Sequence, residues 1–243
     1  MASIAPETLA LAVLIGGLAG LVRGITGFGG AMVMAPPLAL LLGPVLAVPV
    51  VLLLESIVAA PMLVQTRRDV RWRVMLPILA AACVTVPLGG YILLTAEPQA
   101  LRRAIAAIVI VFSLLMLRGW RYAGTQRTAT GVGLGAVAGA MLGATSVGGP
   151  PVILYLLAGP DRIEVTRANL TLFVGVVTLA GIVMLWASGT LGLPALGMGA
   201  LLAPGYYIGL LAGTRLFPRF NDIRFRQFTL LLMIVVSVGI LLA

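Results

Sequence analysis

Glu55 stands inside the apolar run Val45–Val64, eleven residues after Pro44 and ten before Gln65. At 1.5 Å of helical rise per residue its carboxyl lies roughly 15 Å from either end of that run. An isolated carboxylate at such a depth favours its protonated form. It can then carry a proton, pair with a nearby cation, or simply make a structural hydrogen bond. A candidate partner is Arg23, which ends one apolar stretch and opens a Gly-rich one. A guanidinium in a dry site holds an oxyanion through two parallel hydrogen bonds. The alternative for Arg23 is the end of a span, with its charged head reaching back to the surface.

Two Gly-rich segments provide the third chemical feature. The first is Gly24-Ile25-Thr26-Gly27-Phe28-Gly29-Gly30, followed by Pro36-Pro37; the second is Gly143-Ala144-Thr145-Ser146-Val147-Gly148-Gly149-Pro150-Pro151. Gly allows unusual backbone angles and Pro removes a helical hydrogen bond, so both segments are expected to break helices. Irregular backbone inside a membrane is tolerated where it is buried in protein or lines a cavity. Helix starts created by such breaks attract anions. Thr26, Gly27, Gly29, Gly30, Thr145, Ser146, Gly148 and Gly149 are therefore candidate substrate-binding residues, together with Arg23. Close packing through small residues is the competing explanation, and Gly20-x-x-x-Gly24 and Gly139-x-x-x-Gly143 suit it well. Arg167 and Asn169, in Thr166-Arg167-Ala168-Asn169, are further candidates facing a central cavity, although Arg167 suits a topology anchor equally well.

These residues need elements to position them, and composition says what kind. Of 243 residues 61% are hydrophobic and 9% charged, against about 25% charged in a soluble domain. The expected class is an all-α polytopic membrane protein. The net charge is +9, and all sixteen basic residues are Arg. They fall mostly in short connections between apolar runs, which is the pattern of topology signals and not of a nucleic-acid surface. There is no His and a single Cys, Cys83, so a disulfide within the chain, a Cys-based metal site and His-dependent catalysis are excluded. Lys is absent, and with it the phosphate-loop motif of ATP-driven machines. No cofactor and no metal is expected. Met1–Glu7 has no positive region, so the first apolar run reads as part of the mature protein.

Ten apolar segments follow, five on each side of the polar centre at Arg121–Thr130. The reading is a first transmembrane repeat over residues 1–120, a cytoplasmic linker over 121–130 and a second repeat over 131–243. Gly20, Gly24, Thr26, Gly29 and Gly30 align without a gap to Gly139, Gly143, Thr145, Gly148 and Gly149, and Arg102 and Arg226 each begin the last span of a half. Arg23 aligns to Leu142, so the halves differ there. Each half is expected to contain a Gly-broken hairpin of short helices, Thr8–Val22 with Ala31–Leu42 and Gly131–Met141 with Pro151–Leu157, plus three full spans. Among those spans, Ala104–Leu117 and Leu170–Ser188 are each preceded by Arg-bearing connections.

Placing Arg67–Arg73 in the cytoplasm puts Arg118, Arg121, Arg127, Arg162, Arg167, Arg215, Arg219, Arg224 and Arg226 on the same side. Gly43-Pro44 and Gly189–Leu193 fall outside, as do both chain ends; Arg102 and Arg103 violate the pattern, with Glu97 beside them. The halves then come out inverted, an arrangement in which substrate sites lie between repeats near the midplane.

Gly24–Gly30 with its apolar, Pro-containing continuation resembles the opening of the TauE/SafE sulfite exporter family of membrane transporters. Gly143–Pro151 resembles that family's second-half motif, and Arg167-Ala168-Asn169 the segment after it. The resemblance covers nearly the whole chain in length, order and duplication. It implies a bacterial cytoplasmic-membrane protein that moves a small anion such as sulfite, an organosulfonate or an organic acid, often outward. Arg23 and Glu55 are not taken from the resemblance; a substrate role for Arg23 and a proton-coupling role for Glu55 rest on the physical argument alone. The expected partners are a small anionic substrate and the lipid bilayer, with no nucleic acid; a homo-oligomer is compatible with the sequence. An anion channel is the nearest alternative, and an intramembrane enzyme has the least support because so few polar groups are available.

Overall fold

A computed structural model describes residues 5–120, 122, 127–159, 161–216 and 222–242. Arg121 and Arg219 lie outside the described residues, as do the side chains of Arg67, Arg224 and Arg226. The chain is all-helical over the described residues: α1 (Pro6–Thr26), α2 (Gly30–Leu42), α3 (Pro44–Thr66), a 3₁₀ turn at Arg67–Asp69, α4 (Trp72–Thr95), α5 (Pro98–Leu117), α6 (Thr128–Thr145), α7 (Gly149–Leu156), α8 (Ile163–Ala187), α9 (Leu193–Leu216) and α10 (Asp222–Leu242). Pro opens α1, α3 and α5, where its missing N–H costs nothing. Seven of the described helices are long and apolar enough to cross a membrane. Their outward faces carry large apolar side chains, with Val84 78% and Leu193 79% exposed. Such a surface suits lipid and would be a liability in water. This is a multi-pass membrane protein.

Several boundaries differ from the sequence expectation. The first arms of the two hairpins are longer, 21 residues in α1 and 18 in α6, because the helices continue through Gly24-Ile25-Thr26 and Gly143-Ala144-Thr145 before breaking. Helix α6 starts at Thr128 and so takes up the last three residues assigned to the linker. Arg102 lies inside α5, and Thr166–Asn169 inside α8. Pro36-Pro37 does not break α2, whereas Pro150-Pro151 stands at the very start of α7.

Helix packing follows an exchange of halves. Glycines bring α1 onto α9 and α6 onto α4. A Cβ added to Gly20 would lie 2.0 Å from the Tyr206 carbonyl oxygen, and one on Gly139 would lie 2.2 Å from that of Ala82. No side chain fits at either place, so the small-residue packing role is real at both. Numbers rise together along these two interfaces: Gly24 meets Leu210, and Gly143 meets Val86. Helix α3 instead packs on its counterpart α8 with numbers running oppositely. Asn169 meets Arg71, Gly175 meets Ala59 and Gly181 meets Leu52. Helix α5 likewise runs against α10, with Ser113 beside Met233 and Arg102 sharing a groove with Ile240. The corresponding helices α3 and α8 are thus antiparallel to each other. Arg102 and Arg226 are each the fifth residue of their helix.

The connection before α4 meets the one before α8. The Arg71 guanidinium donates to Asp161 at 2.5 Å, a hydrogen bond that raises the Arg71 pKa above its usual value. At the other end of α3, Gly43-Pro44, Thr190–Pro194 and Arg102 surround one groove. Gly139→Leu should separate α4 from α6. The expected result is loss of monodisperse protein, or a melting temperature many degrees lower, since even modest overpacking costs about 1–3 kcal/mol.

Candidate functional site

Both Gly-rich breaks are built by the same local chemistry. Helix α1 ends when Gly27 turns left-handed, with φ 78°, and its N–H donates to the Arg23 carbonyl at 2.8 Å. Helix α6 ends when Ser146 does the same, with φ 60° and an N–H bond to the Leu142 carbonyl, also 2.8 Å. Gly adopts that conformation freely. Ser146 is the one non-Gly residue with positive φ among the described residues. The Thr26 hydroxyl donates to the Val22 carbonyl at 2.8 Å and accepts from the Phe28 N–H at 3.3 Å. The Thr145 hydroxyl donates to the Met141 carbonyl at 2.7 Å and accepts from the Val147 N–H at 3.2 Å. Both threonines therefore hold the shape of the break, and neither lines a cavity between the breaks.

The breaks meet at one narrow cavity of about 30 Å³, walled on one side by Arg23, Phe28, Gly29 and Glu55. Ser146, Val147, Gly149 and Pro150 close it from the second break, and Leu170, Val174 and Thr178 from α8. Glu55 is the twelfth of the 23 residues of α3, so the site sits level with the middle of that helix. A volume of this size holds a water or two.

A buried triad dominates the site. Arg23 Nη1 lies 3.0 Å from Glu55 Oε2, and the Tyr206 hydroxyl donates to Glu55 Oε1 at 2.8 Å. The three side chains are all almost completely buried. Arg23 reaches this place because α1 buries Ala12, Gly16, Ala19 and Gly20 at helical spacing, and Arg23 takes the next slot on that face. Gly30 makes room for the triad. A Cβ there would lie 2.5 Å from both Glu55 Oε1 and the Tyr206 oxygen. Arg23 Nε and Nη2 have no partner and are buried. They form the guanidinium edge opposite the one facing Glu55, a ready fork for two oxygens of one anion. Tyr206 escaped the sequence reading; its one signal was a tyrosine in the middle of the apolar run Leu193–Leu216.

The second half supplies no equivalent charge. Leu142 replaces Arg23 by alignment, and Val174, the twelfth residue of α8, stands where Glu55 stands in α3. Thr85, the fourteenth residue of α4 as Tyr206 is of α9, donates to the Ala136 carbonyl at 2.7 Å. Pro150 and Pro151 also lack the N–H groups that the start of α7 would otherwise offer. The anion-attracting helix start expected at the second break is therefore weak, while that of α2, beside Arg23, keeps its donors.

The remaining candidates take other places. Arg167 packs against the first break, where a Cβ on Gly27 would lie 2.6 Å from its Nε, but it is not part of the cavity wall. Asn169 is fully buried away from the cavity, and its Oδ1 accepts from the Arg71 N–H at 2.9 Å. Its position in the second turn of α8 ties that helix to the entrance of α4. Gly148 packs under the Ala138 carbonyl, 2.3 Å from where its Cβ would be.

No curated protein and no solved structure matches the chain. Residues 12–240 match the family described as Sulfite exporter TauE/SafE. That span reaches all ten described helices, α1 and α10 in part, and holds both breaks and the triad; the chain belongs to the TauE/SafE sulfite exporter family.

Proposed function

We propose that this protein is a secondary transporter that moves a small anion across the bacterial cytoplasmic membrane, with sulfite, an organosulfonate or a small organic acid as cargo. Its direction is outward, coupled to protons or to the membrane potential. One observation carries the reading: the Nε/Nη2 edge of Arg23 is buried, unpartnered and at the wall of a cavity between two helix breaks. An orphaned buried donor pair is costly unless a ligand satisfies it part of the time. Antiparallel packing of corresponding helices supports two inverted repeats around this site, with both chain ends non-cytoplasmic. The narrowness of the cavity between the breaks supports a carrier that must rearrange to admit its cargo over an open, continuous pore.

Flux of sulfite, methanesulfonate and acetate into proteoliposomes tests the reading. Saturable uptake of at least one of them supports it, and no flux of any under a pH gradient or a potential defeats it. Gly149→Leu sharpens the test. Ordinary space surrounds Gly149, with Ile153 Cδ1 3.7 Å from an added Cβ, yet the residue lines the cavity. Folded protein with transport reduced at least tenfold is expected; wild-type flux would leave the break a packing device only.

A further inference from the structure

Resting on the anion site just proposed, we infer that each monoanion bound at Arg23 brings one proton onto Glu55, so that transport of a monoanion is electroneutral. Charge arithmetic at the triad carries this. Arg23 remains cationic under all ordinary conditions. With Glu55 ionised, 3.0 Å from Nη1, the empty site is neutral. A monoanion on the free Nε/Nη2 edge adds a negative charge to a place without bulk water, where an uncompensated charge is very costly. A proton on Glu55 removes that excess.

The surroundings leave Glu55 as the group that takes it. Among the described residues the cavity wall holds two ionisable side chains, Arg23 and Glu55. Around Glu55, α1 presents Arg23, α9 presents Tyr206, α2 presents Gly30, and α8 presents Val174 and Thr178 to the shared cavity. Tyr206 already donates its proton to Glu55 Oε1, and a neutral tyrosine has no further charge to lose without worsening the imbalance. The geometry also avoids competition: Glu55 and the anion use opposite edges of one guanidinium, so both can be bound at once. Binding linkage is reciprocal, so protonation of Glu55 tightens anion binding by the same factor as the anion tightens protonation.

The test uses full-length protein and methanesulfonate, which stays a monoanion at every relevant pH and cannot itself deliver a proton. In weakly buffered detergent solution, saturating methanesulfonate should take up about one proton per bound anion. Its Kd should rise about tenfold per pH unit over the range in which Glu55 ionises in the empty site. Glu55→Gln should bind with no proton uptake and a flat pH profile. In proteoliposomes, wild-type flux should follow a pH gradient and ignore a potassium–valinomycin potential, whereas Glu55→Gln flux should follow the potential. Binding without proton uptake, or wild-type flux driven by the potential alone, overturns the coupling and leaves the transport reading standing. Failure of methanesulfonate and sulfite both to bind and to move overturns the anion site itself, and the coupling with it.

Discussion

Gly30→Ala is expected to reduce anion flux at least about tenfold, equivalent to roughly 1.4 kcal/mol, while Gly149→Ala at the corresponding place leaves it near wild type. The contrast is severe because the two glycines align and differ by one methyl group from the variants. At Gly30 the new Cβ would lie 2.5 Å from Glu55 Oε1 and from the Tyr206 oxygen, and 3.3 Å from Arg23 Cδ. All three side chains are buried and packed, so the hydrogen bond from Tyr206 to Glu55 must open. Thermal stability should fall too, by the roughly 1–3 kcal/mol typical of an overpacked core. At Gly149 the nearest atom to an added Cβ is Ile153 Cδ1 at 3.7 Å, an ordinary contact. Equal behaviour of the two alanine variants in flux and melting would refute the central place given to the triad.

Arg23→Gln should abolish transport and also destabilise the protein. Removing the cation strands Glu55 in a dry site, and breaking a buried pair from one side costs about 3–5 kcal/mol. Transport is lost because the two-donor edge and its charge are both gone. A second substitution separates the effects: Arg23→Gln with Glu55→Gln should regain most of the stability, since no unpaired charge remains, yet still move no anion. Melting curves and flux from the same preparations check both halves. Transport by the double variant would show that Arg23 serves the fold and not the substrate.

The Gly-x-x-x-Gly pairs illustrate what could be read early. Their two possible roles were visible in sequence, and packing proved to be one of them, because Gly20 and Gly139 face carbonyl groups of other helices. The helices after the breaks start within two residues of the expected Ala31 and Pro151, while the helices before them run four residues past Val22 and Met141. Ser146 takes a left-handed turn that its residue type does not announce. Helix ends at Thr26 and Thr145 were less legible, because a Gly-rich run does not say which Gly stops the helix. Thr26 and Thr145 looked like donors to an anion, but each hydroxyl is taken by the carbonyl one turn back, an option open to any helical threonine. Asn169 looked like a cavity residue by its position at the start of a span, yet its Oδ1 is taken by the Arg71 N–H of a neighbouring connection while its Nδ2 is buried without a partner.

The membrane class, the two-part order of apolar segments and the two isolated charges are legible in the amino-acid order alone, because hydropathy, repeat spacing and the rarity of charge are properties of the chain read in line. Folding is what makes Arg23 and Glu55, 32 positions apart, one pair and adds Tyr206 from the second half to it. That outcome depends on how α1 seats against α9, and on a missing side chain at Gly30, which together bring three buried polar groups within hydrogen-bonding distance at a depth where none could remain alone.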